Sequence, residues 1–88
     1  MGDVRYFAVF LFPHAIESIG TTISTYLRQG PPDVHLLASS IDTSGPLFAM
    51  VVPGQGPEGV PIDIELMLPH QFVRLVMSVR DEQSVGFI

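Results

Sequence analysis

The chain has three side chains that titrate near neutrality, His14, His35 and His70, and no cysteine. Two of the histidines follow a proline, as Pro13-His14 and Pro69-His70, and each pair closes an apolar run. Both segments that follow are read as helices. His14 and His70 would then sit at helix N-termini, where a neutral imidazole is favoured and anions are attracted. Whether they meet depends on topology. With one strand between the two units the helix starts lie at opposite ends of a sheet. With two strands between them the histidines share an edge and can bind an anion or contribute to a metal site. His35 precedes Leu36-Leu37 and reads as a packed or edge histidine on a strand. Two-histidine phosphoesterases need Ser or Thr two places after each His, and Ile16, Leu37 and Phe72 stand there instead.

Gly54-Gln55-Gly56-Pro57-Glu58-Gly59 spells the dinucleotide fingerprint GxGxxG. That chemistry needs a helix beginning inside the motif, so that its N-terminus faces a pyrophosphate. Pro57 and Pro61 interrupt, and a strand follows. The segment is therefore read as a flexible loop, with Gly54 and Gly56 as candidate contacts to a ligand or interface. Ser39, Ser40 and Ser44 have no nucleophile elbow around them. Asp63 and Glu65 alternate with apolar residues, which places both toward solvent rather than in a buried acid–base pair. Met50, Met67 and Met77 read as core or interface filler. No catalytic residue, metal or cofactor is assigned.

These residues are positioned by a simple series of elements. Arg5 to Phe12 is a short, aromatic and β-branched run ended by Pro13, and reads as a buried strand. Ile16, Ile19, Ile23 and Leu27 fall at steps of three and four and predict one helical face, with Glu17 early and Arg28 late. Gly30-Pro31-Pro32 would stop that helix. Val34–Ile41 and Leu47–Val52 read as strands joined by the turn Asp42-Thr43-Ser44-Gly45-Pro46, hence a hairpin. Residues 53–61 read as a loop. Ile62 to Leu68 alternates, with Ile62, Ile64, Leu66 and Leu68 on one side. After Pro69 two patterns compete. Phe72, Leu75, Val76 and Val79 suit a helix, whereas Val73, Leu75, Met77 and Val79 suit a strand.

A repeat favours the helix. Tyr6, Ala8, Phe10 and Phe12 match Ile62, Ile64, Leu66 and Leu68; Pro13-His14 matches Pro69-His70; and Ile16, Ile19 and Ile23 match Phe72, Leu75 and Val79. Two strand–helix units on one sheet predict an α+β, two-layer ferredoxin-like sandwich, β-α-β-β-β-α-β, with Ser84 to Ile88 as closing strand. The run from Pro61 through Pro69-His70 to Arg74 resembles the third-strand-to-second-helix passage of PII-type signalling proteins, and Tyr6 to Pro13 with the following helix is similar to their first unit. That resemblance implies ferredoxin-like subunits packed as trimers, with effectors bound in the clefts between them. The chain has no Lys. It lacks the family's basic phosphate-holding residues, and no site residue is carried over.

Bulk composition narrows the function. Eighty-eight residues suit one domain of marginal stability. Apolar residues make up 47% and charged residues only 15%, with a mean hydropathy of +0.40, so apolar surface is expected to need covering. Self-association as a dimer or trimer is the expected cover. Four arginines against nine acids, net −5, cannot build a phosphate-binding patch, which argues against nucleic acid. The longest apolar run, Tyr6 to Phe12, is far too short to span a bilayer, and Asp3 near Met1 does not suit a signal peptide. The expectation is a cytoplasmic, oligomeric domain that binds a small ligand or a protein and has no catalytic apparatus of its own. Two alternatives are a small ferredoxin-like enzyme with a histidine general base in a cavity between sheet and helices, and a structural accessory subunit.

Overall fold

A computed structural model describes residues 5–29 and 34–79. The expected closing strand at Ser84–Ile88 and the helix stop at 30–32 lie outside the described residues. In chain order the elements are β1 (Tyr6–Leu11), α1 (Pro13–Ile19), β2 (Leu27–Arg28), β3 (His35–Ala38), β4 (Ser40–Asp42), β5 (Phe48–Gln55), β6 (Pro61–Leu68) and β7 (Val73–Val79), with 3-10 turns at 24–26, 57–59 and 70–72.

The strands form two antiparallel sheets, ordered β2-β3-β1-β7 and β4-β5-β6. They share two corners. At the first, Ser39 breaks the run between β3 and β4, and its N–H donates to the Val51 carbonyl at 2.8 Å. At the second, Pro69 and the turn at 70–72 carry β6 into β7, where the Phe12 N–H donates to the Phe72 carbonyl at 3.0 Å. Pairing therefore closes a circuit: β5 joins β4 and β6, these continue into β3 and β7, and both pair with β1. Strands that switch sheets at bends are the usual way to make such corners. Val9, Leu11, Leu36, Ala38, Phe48, Met50, Val52 and Leu68 fill the space between the sheets, and Ala15 and Ile23 pack in from the α1 side. Ala8, Phe10 and Leu37 form a second cluster on the other face of the β1 sheet.

This is a small β-rich domain with one α-helix among the described residues, and it corrects the two-helix ferredoxin-like expectation. The segment after Pro69 is strand. β7 pairs with β1 from Tyr6↔Val79 to Phe10↔Leu75, and then Leu11 pairs with Val73, so Arg74 is an extra residue. Such a bulge breaks strict alternation. It leaves Val73 and Val76, three apart, both packed against the core. The helix expectation rests on Phe72, Leu75, Val76 and Val79 and on the repeat; the strand instead turns Val73 and Val76 to the core and leaves Leu75 exposed. The repeat thus holds for a strand followed by Pro-His, and fails beyond it.

The first helix is also shorter than its apolar spacing predicts. Ile16, Ile19, Ile23 and Leu27 all reach the core, but α1 ends at Ile19 and the chain loosens through turns until Leu27 is extended. Gly20 and the β-branched Thr21 and Thr22 weaken the helix there. Glu17 lies beyond the first turn, and Arg28 sits in β2, so neither serves the helix dipole.

Gly20 is needed for space. A Cβ there would collide with the Ile16 carbonyl oxygen and come within 3.1 Å of Ile16 Cγ2. Gly20→Ala is expected to destabilise by about 1–3 kcal/mol through overpacking, opposite in sign to the usual helical preference for Ala. Urea unfolding measures it directly.

Candidate functional site

The three histidines go to three different places. His14 lies on α1, stacked on Phe12 with ring centroids 5.6 Å apart and meeting Phe72 edge-on at 5.7 Å. His70 opens a single 3-10 turn, not a helix, and its Nε2 lies 2.9 Å from the Gly45 carbonyl oxygen. His35 is buried on β3 against the Phe10 ring, centroids 5.2 Å apart. The two Pro-His steps do approach one another, through Phe72, but each ring turns to its own partners. No group of three or more His, Cys, Asp or Glu among the described residues is arranged to hold a metal ion. His14 does lie in the first turn of α1, as expected, whereas His70 opens only a 3-10 turn, which corrects the expected second helix N-terminus. A seven-residue helix and a lone 3-10 turn carry no helix-terminal anion site by themselves.

His70 instead ties down the loop between β4 and β5. A carbonyl oxygen only accepts, so Nε2 carries the proton and donates. His70→Ala is expected to cost about 1 kcal/mol and to speed amide exchange at residues 44–47. At the other end of the loop Asp42 accepts from the Ser44 hydroxyl at 2.7 Å and the Ser44 N–H at 3.0 Å. These two bonds, the hydroxyl first, hold its carboxyl below the ordinary 3.8. Because the folded value is depressed, the turn's contribution is present above the ordinary value and is lost as pH falls through the lowered one. An NMR acid titration is expected to show the Ser44 amide shifting with the Asp42 carboxyl as pH falls through its lowered value.

The glycine-rich segment is a hairpin end rather than a flexible loop. Gly54 and Gln55 belong to β5 and pair with Ile62 and Pro61. The Gly56 N–H donates to the Val60 carbonyl at 2.7 Å, and Glu58 and Gly59 turn the chain with φ of 60° and 76°. No α-helix starts in it; a single 3-10 turn at 57–59 leads into β6.

Gly54 and Gly56 instead help to line a cleft of about 680 Å³. Its other walls are Thr25, Tyr26 and Arg28 from the turn into β2, and Val52, Pro53 and Gln55 from β5. Gly54 makes room for an aromatic wall: a Cβ placed on it would lie 3.2 Å from Tyr26 Cε1. The cleft thus combines an aromatic ring, a guanidinium, a hydroxyl, an amide and an apolar patch. Among the described residues no imidazole or carboxylate lines it. Sequence reasoning missed Thr25, Tyr26 and Arg28 because they were assigned to a continuing helix. The signal that could have exposed them was the cluster Gly20-Thr21-Thr22, which ends α1 and leaves the chain free to become a strand.

Among the described residues no helix is long and apolar enough to cross a membrane. The chain matches no known protein family, no curated protein and no solved structure.

Proposed function

We propose that the protein is a small cytoplasmic binding domain without catalytic apparatus of its own, and that its site is the cleft between Thr25–Arg28 and the end of β5. The observation that carries this reading is the cleft itself. Its volume of about 680 Å³ lies in the range of about 300–1,000 Å³ usual for small-molecule sites. Among the described residues Arg28 is the charged side chain on its wall, which supports a small molecule with an anionic group as the ligand. A guanidinium takes a carboxylate or phosphate through two parallel N–H donors, and Tyr26 offers a flat apolar surface beside it. Thr25 and Gln55 add polar contacts that fix orientation. Among the described residues the wall offers no imidazole or carboxylate as an acid–base partner, which supports capture over turnover.

Calorimetry with benzoate, phenyl phosphate and inorganic phosphate tests this. At least one aromatic anion is expected to bind more tightly than inorganic phosphate, and Arg28→Gln to weaken it about tenfold or more, the scale of a lost charge-assisted contact. Equal affinity in the wild type and the Arg28→Gln variant would contradict the reading.

Self-association belongs to the same proposal. Val60 and Ile62 are large apolar side chains left exposed, at 55% and 38%. Ile62 lies beside Gly56, with its Cγ2 3.1 Å from where a glycine-replacing Cβ would stand. A second copy covering Val60 and Ile62 would border the cleft. Sedimentation across dilution is expected to show a dimer or larger species that Val60→Thr/Ile62→Thr dissociates; a wild-type monomer at all concentrations would remove this part of the proposal.

A further inference from the structure

The register of β4, β5 and β6 fixes what their outer face presents. Cross-strand neighbours run Asp42–Ala49–Met67, then Ser40–Val51–Glu65, then Pro53–Asp63. The alternate residues Phe48, Met50, Val52 and Leu68 point into the core. The outer face therefore has a half-buried apolar centre, Ala49 and Val51, with Pro53 exposed beside it and Met67 exposed at 57%. Around it stand the exposed carboxylates of Asp42, Asp63 and Glu65. No Lys, Arg or His occurs on the three strands. The Asp42 carboxylate is engaged with Ser44, but the side-chain carboxylates of Asp63 and Glu65 have no hydrogen bond or ion pair among the described residues.

We propose that this face docks a basic amphipathic segment of another protein, with Lys or Arg placed around an apolar side chain. Charge complementarity selects the occupant. A second copy of the same face would set carboxylates against carboxylates with no cation to relieve them, and nucleic acid or an anionic lipid surface would be repelled in the same way. Asp63 and Glu65 stand two residues apart on one strand, about 6.5–7 Å. Cations at i and i+4 on a helix, with Cβ atoms about 5–6 Å apart, meet that spacing, and an apolar residue on the same helical face covers Val51 and Met67. The face borders the cleft at Pro53, and the rest of the cleft lies on the side of β5 where Gly54 meets Tyr26.

The probe is an amphipathic helical peptide of Leu and Lys, with a Leu/Glu peptide of the same pattern as its counterpart, titrated into the ¹⁵N-labelled full chain. The Leu/Lys peptide is expected to shift amides of residues 40–42, 49–53 and 63–67. Asp63→Asn/Glu65→Gln is expected to weaken it about tenfold, the scale of two exposed charge pairs lost together. Glu17→Gln/Glu58→Gln removes the same charge elsewhere and is expected to change affinity less than about twofold, since distant exposed charges are screened. Equal weakening by both variants would reduce the effect to net charge and overturn the proposal. No binding, binding of the Leu/Glu peptide, or shifts on another face would overturn it as well.

Discussion

Replacing Phe10 with alanine is expected to destabilise the protein by about 3–5 kcal/mol, through lost apolar transfer and the cavity left behind. The ring is 1% exposed, clusters with Ala8 and Leu37 and lies against the His35 imidazole. A chain of 88 residues has roughly 4–13 kcal/mol of stability to lose, so the variant is expected to be partly or wholly unfolded. Phe10→Leu keeps most of the apolar volume and is expected to lose about 1.5 kcal/mol or less. Urea midpoints of the two variants measure the contrast. Equal, small losses would mean that the outer face of the β1 sheet contributes little, and that stability rests on the inter-sheet core alone.

The largest effect on binding is expected from Gly54→Val. A branched side chain there must displace the Tyr26 ring, because even a single Cβ would lie 3.2 Å from Tyr26 Cε1 and 3.7 Å from Ile64 Cγ1. The strand itself should accept valine, which has a higher β-propensity than glycine. The expected outcome is a folded protein whose affinity for an aromatic anion falls by about tenfold or more, a loss of at least about 1.4 kcal/mol. Gly45→Ala is the control, since nothing lies within 4 Å of a Cβ at that position. Calorimetry on both variants separates a filled cleft from a general effect of removing glycine.

Local signals carried a good part of this fold. Tyr6 to Leu11 is a strand because its run is aromatic, β-branched and stopped by Pro13. The β4–β5 hairpin follows from the turn residues Asp42 to Pro46, and the alternation of β6 is visible in Ile62 to Leu68. What local pattern could not carry was anything set by distant pairing. The Arg74 bulge exists because β7 must match β1, and it turned an alternating strand into a three-residue spacing. Ser39 gave no warning that one apparent strand would divide between two sheets, since the bend is fixed by its bond to Val51. For the same reason the cleft was only half legible. Gly54 and Gly56 stood out by type, whereas Tyr26 and Arg28 become its wall only when α1 stops early. The histidines stood out most. One fills a core position, one packs among phenylalanines and one ties a loop.

The most direct test of the cleft as the site is an amide shift map of the ¹⁵N-labelled full chain against a small panel of aromatic carboxylates and phosphates. The account predicts that the binders perturb residues 25–28 and 52–56 and lose that effect in Gly54→Val. Binders that perturb other residues, or a panel that leaves 25–28 and 52–56 unmoved, would contradict it.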